Sequence, residues 1–363
     1  MPTAEEVATF LAYELLRRGN YSASAGPVEV PALAEAMPAG HTEERELFEN
    51  IDGFASLAVQ SVGFEEGVDE PNVHIYLTRG SSRLINSLPE EVDGVPIRAH
   101  KMGAITVKPE TAGAATNRAN FFERNNRICC GSSCAPTSEN CSGTFGAIVK
   151  KEDSGPLYLL SNNHVFAGCN HVPLDQPILS PSSNDGRADM RAPSEIGRHF
   201  EIHELRSGNP NFVNPCEADL ALARATDQNV ITSWQGDPNN GYDTPTRVQS
   251  PISRMAVKKV GRTTGLTHGV VQARITTPAA LTYSSKHFKS VVWFTNIWTV
   301  RARMGEVFAL AGDSGSLVVT DDAGHAVGIL FAANRPGDYG WIIPMPYVAT
   351  TFGGLHLVGG HGI

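Results

Sequence analysis

The sequence predicts a mainly β protein, built as a pair of barrels or a sandwich, preceded by a small α/β domain and an N-terminal helix. Three observations predict it. Beyond about Gly113 helical periodicity nearly disappears. In its place short β-rich runs recur between clusters of Gly, Pro, Asn and Asp, at 143–150, 157–160, 218–223, 270–275, 290–300, 315–320, 326–331 and 339–343. The residues before this region alternate strand and helix signals instead. At 363 residues the chain exceeds one ordinary core, with domains running to about 150 residues, so a main domain with an appendage is expected.

Taken in order, residues 3–18 carry Val7, Phe10, Leu11 and Leu15 on one face of a helix, with Thr3 placed to cap it and Gly19 to stop it. An apolar stripe at this spacing is a packing face. The Pro-, Gly- and Ala-rich stretch 22–40 reads as a linker, and together these make an N-terminal segment over 1–50. Residues 51–112 read as a small α/β domain with strands at 55–62, 72–78 and 95–101, a short helix at 83–88 and a turn at Asp93-Gly94. It contains neither a phosphate-cradling loop nor a ligand-like cluster, which points to a structural or oligomerisation role. Residues 113–363 form the β-rich domain, with one barrel over about 140–224 and another over about 254–352.

Twenty-nine basic against 38 acidic residues give a formal charge of -9, which repels phosphate backbones and anionic lipid, so neither nucleic acid nor a membrane is expected as a partner. The first apolar stretch is interrupted by Glu5, Glu6 and Glu14 and does not read as a signal peptide, and no run is long enough to span a bilayer. A soluble cytoplasmic protein is the expectation. Six cysteines stand at 129, 130, 134, 141, 169 and 216. Cys130, Cys134 and Cys141 lack the paired spacing of a structural zinc site, and cytosolic thiols are normally reduced. Free thiols, disulfides and a metal knuckle all stay open for Cys129, Cys130, Cys134 and Cys141.

A hydrolase that uses serine needs a histidine to take its proton and an acid to orient that histidine. Ser314 lies in Gly312-Asp313-Ser314-Gly315-Ser316, where a turn lets the N–H groups of Gly312 and Ser314 converge as an oxyanion hole. His164 follows the apolar strand 157–160, at a strand end where a general base is expected. Asp219 is expected inside the alternating strand 217–223, where a buried carboxylate needs donors and an imidazole N–H is the obvious one. Competing candidates are His171, His199, His203 and His268 for the base, and Asp185 and Asp189 for the acid.

His164, Asp219 and Ser314, in that order and with those flanks, resemble the trypsin and chymotrypsin class of serine peptidases over about residues 140–352. More narrowly, Leu160-Ser161-Asn162-Asn163-His164-Val165, Gln176-Pro177-Ile178-Leu179, Val260-Gly261-Arg262-Thr263-Thr264-Gly265-Leu266-Thr267 and Gly312-Asp313-Ser314-Gly315-Ser316 are similar to a bacterial and plant group that includes the plant narrow-leaf peptidase. So is the region around Leu88-Pro89 and Asp93-Gly94-Val95-Pro96. The resemblance implies a chymotrypsin-like double β-barrel and a self-assembling intracellular endopeptidase acting on a protein or peptide substrate. Separately, the acidic chain without a signal peptide permits a specific intracellular substrate in defence or signalling. The resemblance also implies Phe308 at the floor of the specificity pocket, with Phe331, Ala332, Ala333, Gly340 and Ile342 in its walls; an apolar floor implies a small or apolar P1 residue. Residues 331–333 would pair as a strand edge with the bound peptide. Triad and oxyanion hole suffice for acyl transfer, so no metal or organic cofactor is expected. Two features depart from the secreted pattern. Ser316 replaces the usual glycine, and no Ile-Val-Gly-Gly segment is present to bury a new amine against Asp313, which is expected to find another partner.

Two rival readings remain at this level. An α/β-type esterase would need GxSxG, which Ser316 breaks, and would have to use Asp338 with His356 in a helix-poor region. A catalytically idle double barrel, serving as a scaffold or peptide-binding module and blocked for instance by the stretch 129–141, would keep the same residues without activity.

Overall fold

The computed structural model describes residues 2–21, 58–79, 82–86, 88–103, 105–107, 110–111, 119–152, 154–186, 191–209, 213–276 and 278–363. The linker expected at 22–40 and the alternative acid Asp189 lie outside the described residues.

The chain is a chymotrypsin-like double β-barrel. In the second barrel six antiparallel strands, Ala256–Gly261, Gly265–Ile275, Trp298–Ala302, Tyr339–Pro344, Ala326–Ala333 and Leu317–Thr320, pair in that order. Leu317–Thr320 then returns to Ala256–Gly261 through Val257↔Thr320 and Lys259↔Val318, which closes the ring. Alternation along the strands sorts the side chains. Val257, Val271, Val300, Val318, Leu330 and Ile342 form one cluster with Phe308. Their neighbours Val319, Ile329, Phe331, Trp341 and Ile343, and Ala273 beyond a register shift in its strand, join a second cluster with Ala147, Val149, Leu160 and Leu222 of the first barrel. Strands that are apolar on both faces read as continuous hydrophobic runs, as seen at 326–333.

The first barrel pairs Ala147–Lys150, Tyr158–Ser161, Ala221–Ala225, Ser194–Ile202, Pro177–Ser180, Ser133–Pro136 and Cys141–Thr144, all antiparallel. Only two residues separate the last strand from the first, so the chain itself completes the turn of the sheet. The expected run 143–150 is therefore two strands with a corner at Phe145-Gly146. Inside lie Phe145, Ile148, Leu159, Ile178, Ile196, Ala221 and Ala223. Cys130 and Cys134 pack in the same core; strand Ser133–Pro136 joins the barrel sheet, while Arg127–Cys130 pairs with Ile231–Gln235 in a separate small sheet. All six cysteines are buried free thiols, and among the described residues no three His, Cys, Asp or Glu side chains are grouped to hold a metal. Burial pushes the Cys129 and Cys141 thiols up to about 12, which keeps them protonated and inert.

The N-terminal helix runs Ala4–Arg17 and is closed by a capping box: Glu6 N donates to Thr3 Oγ1 at 3.2 Å and Thr3 N to Glu6 Oε2 at 2.7 Å. Its apolar face packs on strands Ala58–Phe64 and Val73–Arg79. Strand Val95–Lys101 follows a turn in which Asp93 and Gly94 both have positive φ, the I′ geometry that Asp-Gly favours. These strands do not close a sheet of their own. Ala58–Phe64 pairs with Gly265–Ile275 through Gly63↔Ile275 and Phe64↔Arg274, so the N-terminal layer extends the sheet of the second barrel. A hairpin, Ala279–Ser284 with Lys289–Phe294, leaves that barrel and pairs with Thr106–Val107. Among the described residues no helix is long and apolar enough to cross a membrane.

Candidate active site

His164 comes directly off the strand Tyr158–Ser161, in the one-turn helix Asn163–Phe166. Its neighbour Asn162 donates from Nδ2 to the Asp219 carbonyl at 2.7 Å, and Asn163 Nδ2 donates to the His203 carbonyl at 2.9 Å, so the Asn-Asn pair ties the histidine turn to the acid's loop. Asp219 differs from expectation. It stands two residues before the strand Ala221–Ala225, because its carboxylate is turned onto the histidine segment instead of joining the ladder. Oδ1 accepts from the His164 backbone N–H at 3.1 Å, and Oδ2 lies 2.5 Å from His164 Nδ1. Both side chains are almost completely buried, so each satisfies the other's desolvated polar group.

Ser314 is half-buried between the barrels. Strand Cys141–Thr144 ends on its loop: Thr144 N donates to the Ser314 carbonyl at 2.8 Å, and Thr144 Oγ1 to the Gly312 carbonyl at 2.9 Å. Pulling these two carbonyls toward the first barrel leaves the N–H groups of Gly312 and Ser314 without acceptors among the described residues. Donors left without acceptors are what an oxyanion hole would draw on. The Ser314 hydroxyl donates to the Phe331 carbonyl at 3.3 Å, and among the described residues it makes no bond to His164. Ser316 Oγ donates to the Asp313 carbonyl at 2.6 Å, so the departure from glycine closes the turn by one more bond.

Asp313 has found its partner. Lys259 Nζ, fully buried, stands 3.3 Å from Oδ2. The motif Val260-Gly261-Arg262-Thr263-Thr264-Gly265 supplies the other contacts, with Thr263 N at 2.8 Å, Thr264 N at 3.0 Å and Thr264 Oγ1 at 2.8 Å, while Leu310 N donates at 2.9 Å. Burial pushes the Lys259 ammonium below its ordinary range, opposed by the Asp313 charge. An internal cation thus fills the role that a new N-terminus would play. Asp185, the alternative acid, is committed elsewhere. Arg262 grips it bidentately, Ser133 and Ser182 donate to it at 2.5 and 2.9 Å, and the cluster pins the second barrel to the first. Burial raises its carboxyl, but the Arg262 guanidinium outweighs this and holds it below the usual range.

The other histidines are also engaged away from Ser314: His268 with Asp321, His199 with the Pro173 carbonyl, His171 with the Cys169 carbonyl and His203 beside Tyr347. Asp338 receives a bond from Asn334 Nδ2 at 2.6 Å while His356 lies in a strand of the first barrel, so the esterase pairing has no geometry to support it.

Phe308 and Gly340 are brought together. A Cβ on Gly340 would stand 2.9 Å from the Phe308 ring and 2.8 Å from Leu330, and one on Gly269 would stand 2.8 Å from the opposite edge of that ring. Phe308 is completely buried, with Ile342 in the same cluster. Ala332 and Ala333 pair with Trp341 and Gly340. Just beyond them Asn334 is bridged by Ile105 and donates to the Met102 carbonyl at 2.9 Å, so the chain's own segment already lies against the end of this edge.

Two residues of this site were not anticipated. Tyr283 donates to Asp219 Oδ2 at 2.7 Å, and Lys259 is the cation of Asp313. Lys259 stands in a valine-flanked run that could have signalled a buried charge. Tyr283 carries no comparable signal, being 64 residues from its partner.

Residues 120–336 match the family model of the Nal1 C-terminal domain. Protein NARROW LEAF 1 of Oryza sativa subsp. japonica is 31% identical over 203 residues, which are 53% of this chain and 33% of that protein. The chain thus spans about a third of the length of that relative. Among solved structures, Thermobifida fusca protease A is 18% identical, covering 64% of this chain and 100% of its own, with a TM-score of 0.43. A Nocardiopsis protease is 17% identical over 63% of this chain and 97% of its own, with a TM-score of 0.42.

Proposed function

We propose that this chain, which belongs to the Nal1 C-terminal domain family and has a serine-protease-like scaffold, is a serine endopeptidase working through Ser314, His164 and Asp219. The observation that carries this is the buried His164–Asp219 pair, together with a Ser314 loop whose Gly312 and Ser314 N–H groups have no acceptor among the described residues. A peptide bound over the loop draws the Ser314 hydroxyl from the Phe331 carbonyl to His164 Nε2. Ser314 Oγ attacks the scissile carbonyl as His164 takes its proton; the two N–H groups hold the oxyanion; His164 returns the proton to the leaving amine. Water then repeats the steps on the acyl-enzyme. Asp219 holds the imidazole with Nδ1 protonated, which leaves Nε2 to take the Ser314 proton.

The Phe308 ring, wedged between Gly269 and Gly340, supports a small or apolar P1 preference, since it fills the space where a cationic P1 side chain would need an acid. We extend the proposal to a homo-oligomer acting on an intracellular protein. A solution mass equal to one chain at micromolar concentration counts against that part. One observation favours the idle-scaffold reading, namely the Ser314 hydroxyl resting on Phe331 instead of His164. A fluorophosphonate probe decides between them: labelling of wild type but not of Ser314→Ala supports the peptidase, and equal labelling of both, or of neither, overturns it. A peptide-library digest with the same control reads the P1 preference.

A further inference from the structure

Tyr283 is completely buried in the hairpin Ala279–Ser284/Lys289–Phe294, and its hydroxyl donates to Asp219 Oδ2 at 2.7 Å. That oxygen is the one facing His164 Nδ1. The Tyr283 ring also stands edge-on to the His164 ring, with centroids 5.9 Å apart at 78°. One side chain therefore touches both members of the pair. Asp219 has four donors or partners converging on it: His164 N on Oδ1, His164 Nδ1 and Tyr283 Oη on Oδ2, and Asn162 on its carbonyl. Without the tyrosine, rotation of the carboxylate about its Cβ–Cγ bond would meet no opposition at Oδ2 except from the imidazole it is meant to hold.

The hairpin is fixed from two sides. Cys216, three residues before Asp219, donates to the Trp293 carbonyl at 2.7 Å and accepts from Thr295 N at 2.9 Å, which stitches the acid's loop to the hairpin. On the other side Gln60 Nε2 donates to the Ala280 carbonyl at 2.5 Å, Tyr283 pairs with Val107, and Trp293 packs in the core of the N-terminal helix. Burial and the Asp219 charge push the Tyr283 phenol well above its ordinary range, so it remains a donor at any working pH.

We infer that Tyr283 is a positioning residue of this site, locking the Asp219 carboxylate through the same oxygen that faces His164 Nδ1, and that its hairpin makes the N-terminal layer part of the catalytic support. The inference rests on the peptidase proposal for its kinetic consequence but not for its geometry. Tyr283→Phe removes the donor and keeps the ring packed against Phe288 and Phe294. Fluorophosphonate labelling is expected to slow roughly tenfold, the lower end of what a hydrogen bond to a charged group is worth. A carboxylate freed of one donor holds the imidazolium more strongly, so the acid limb of the labelling rate moves to higher pH; a purely structural role would lower the rate without moving the limb. A Tyr283→Phe profile that superimposes on wild type overturns the inference. Failure of the wild type to label overturns the peptidase proposal instead. In that event the far-downfield proton resonance of the His164–Asp219 bond reads the geometry directly: a shift in Tyr283→Phe supports the inference and an unmoved resonance overturns it. A ring-fluorinated tyrosine at 283, a stronger donor of nearly the same size, should shift the resonance in the opposite direction whatever the phenylalanine variant does to folding.

Discussion

Replacing Lys259 by Met removes the cation behind the Ser314 loop and leaves the Asp313 carboxylate buried. At 3.3 Å and an effective dielectric of about 20, the pair attracts by about 5 kcal/mol. Part of this only offsets the cost of burying the ammonium, and breaking one side of a buried pair typically costs about 3–5 kcal/mol. Asp313 keeps four hydrogen bonds, from Thr263 N, Thr264 N, Thr264 Oγ1 and Leu310 N, which favours the lower end, about 3 kcal/mol. Equilibrium unfolding in urea measures the loss directly. The double variant K259M/D313N removes both charges and should recover much of it, giving a coupling energy of about 2 kcal/mol in the cycle. Labelling by a fluorophosphonate should fall with K259M, because the Asp313 side chain also fixes the turn that aims the Gly312 and Ser314 N–H groups. A K259M protein within about 1 kcal/mol of wild type that labels normally would refute the reasoning, since it would mean that the hydrogen bonds alone hold Asp313.

Phe308→Ala should cost about 3–5 kcal/mol by emptying a filled site in the barrel, and should shift cleavage toward larger apolar P1 residues; an unchanged library profile counts against Phe308 as the specificity floor. Gly315→Ala places a methyl 2.2 Å from the Thr144 carbonyl at a residue with φ of +98°, so the loop must move, and labelling of Ser314 should drop by roughly a hundredfold, as on losing an oxyanion donor. His100 is held down to about 3, chiefly by burial and then by His74, Arg301 and Arg98, and it also meets Tyr76 and Tyr339. Its unfolded form takes up a proton near 6.5, so the stability that depends on a neutral ring is complete above that pH and is lost as pH falls toward 3. Between about pH 6 and pH 4 the wild type should lose up to about 1.4 kcal/mol more per pH unit than His100→Asn; parallel stability curves would contradict this.

Much of the candidate site was legible along the chain because the features that mark it are local. A serine between glycines, a histidine at the end of an apolar strand and an aspartate beside an apolar strand are features of short segments, and each lies where backbone geometry and burial make it useful. The strand assignment of Asp219 was off by two residues because alternation cannot tell a residue that joins a ladder from one that turns onto a neighbour. The small α/β region was visible as elements but not as an extension of the barrel, since pairing of Phe64 with Arg274 depends on an edge that no short window contains.

By itself the sequence marked most of the strand segments, the three candidate residues Ser314, His164 and Asp219, and that Asp313 would need a partner other than a new N-terminus. Tertiary structure alone decided which cation that is, what holds the acid and how the barrels are joined. Lys259, Tyr283 and the Arg262–Asp185 pair each meet a partner 54, 64 and 77 residues away. Periodicity and capping act over a few residues, whereas a buried charge or hydroxyl is matched wherever packing brings its complement, and that is fixed only when the two barrels and the N-terminal layer close on one another.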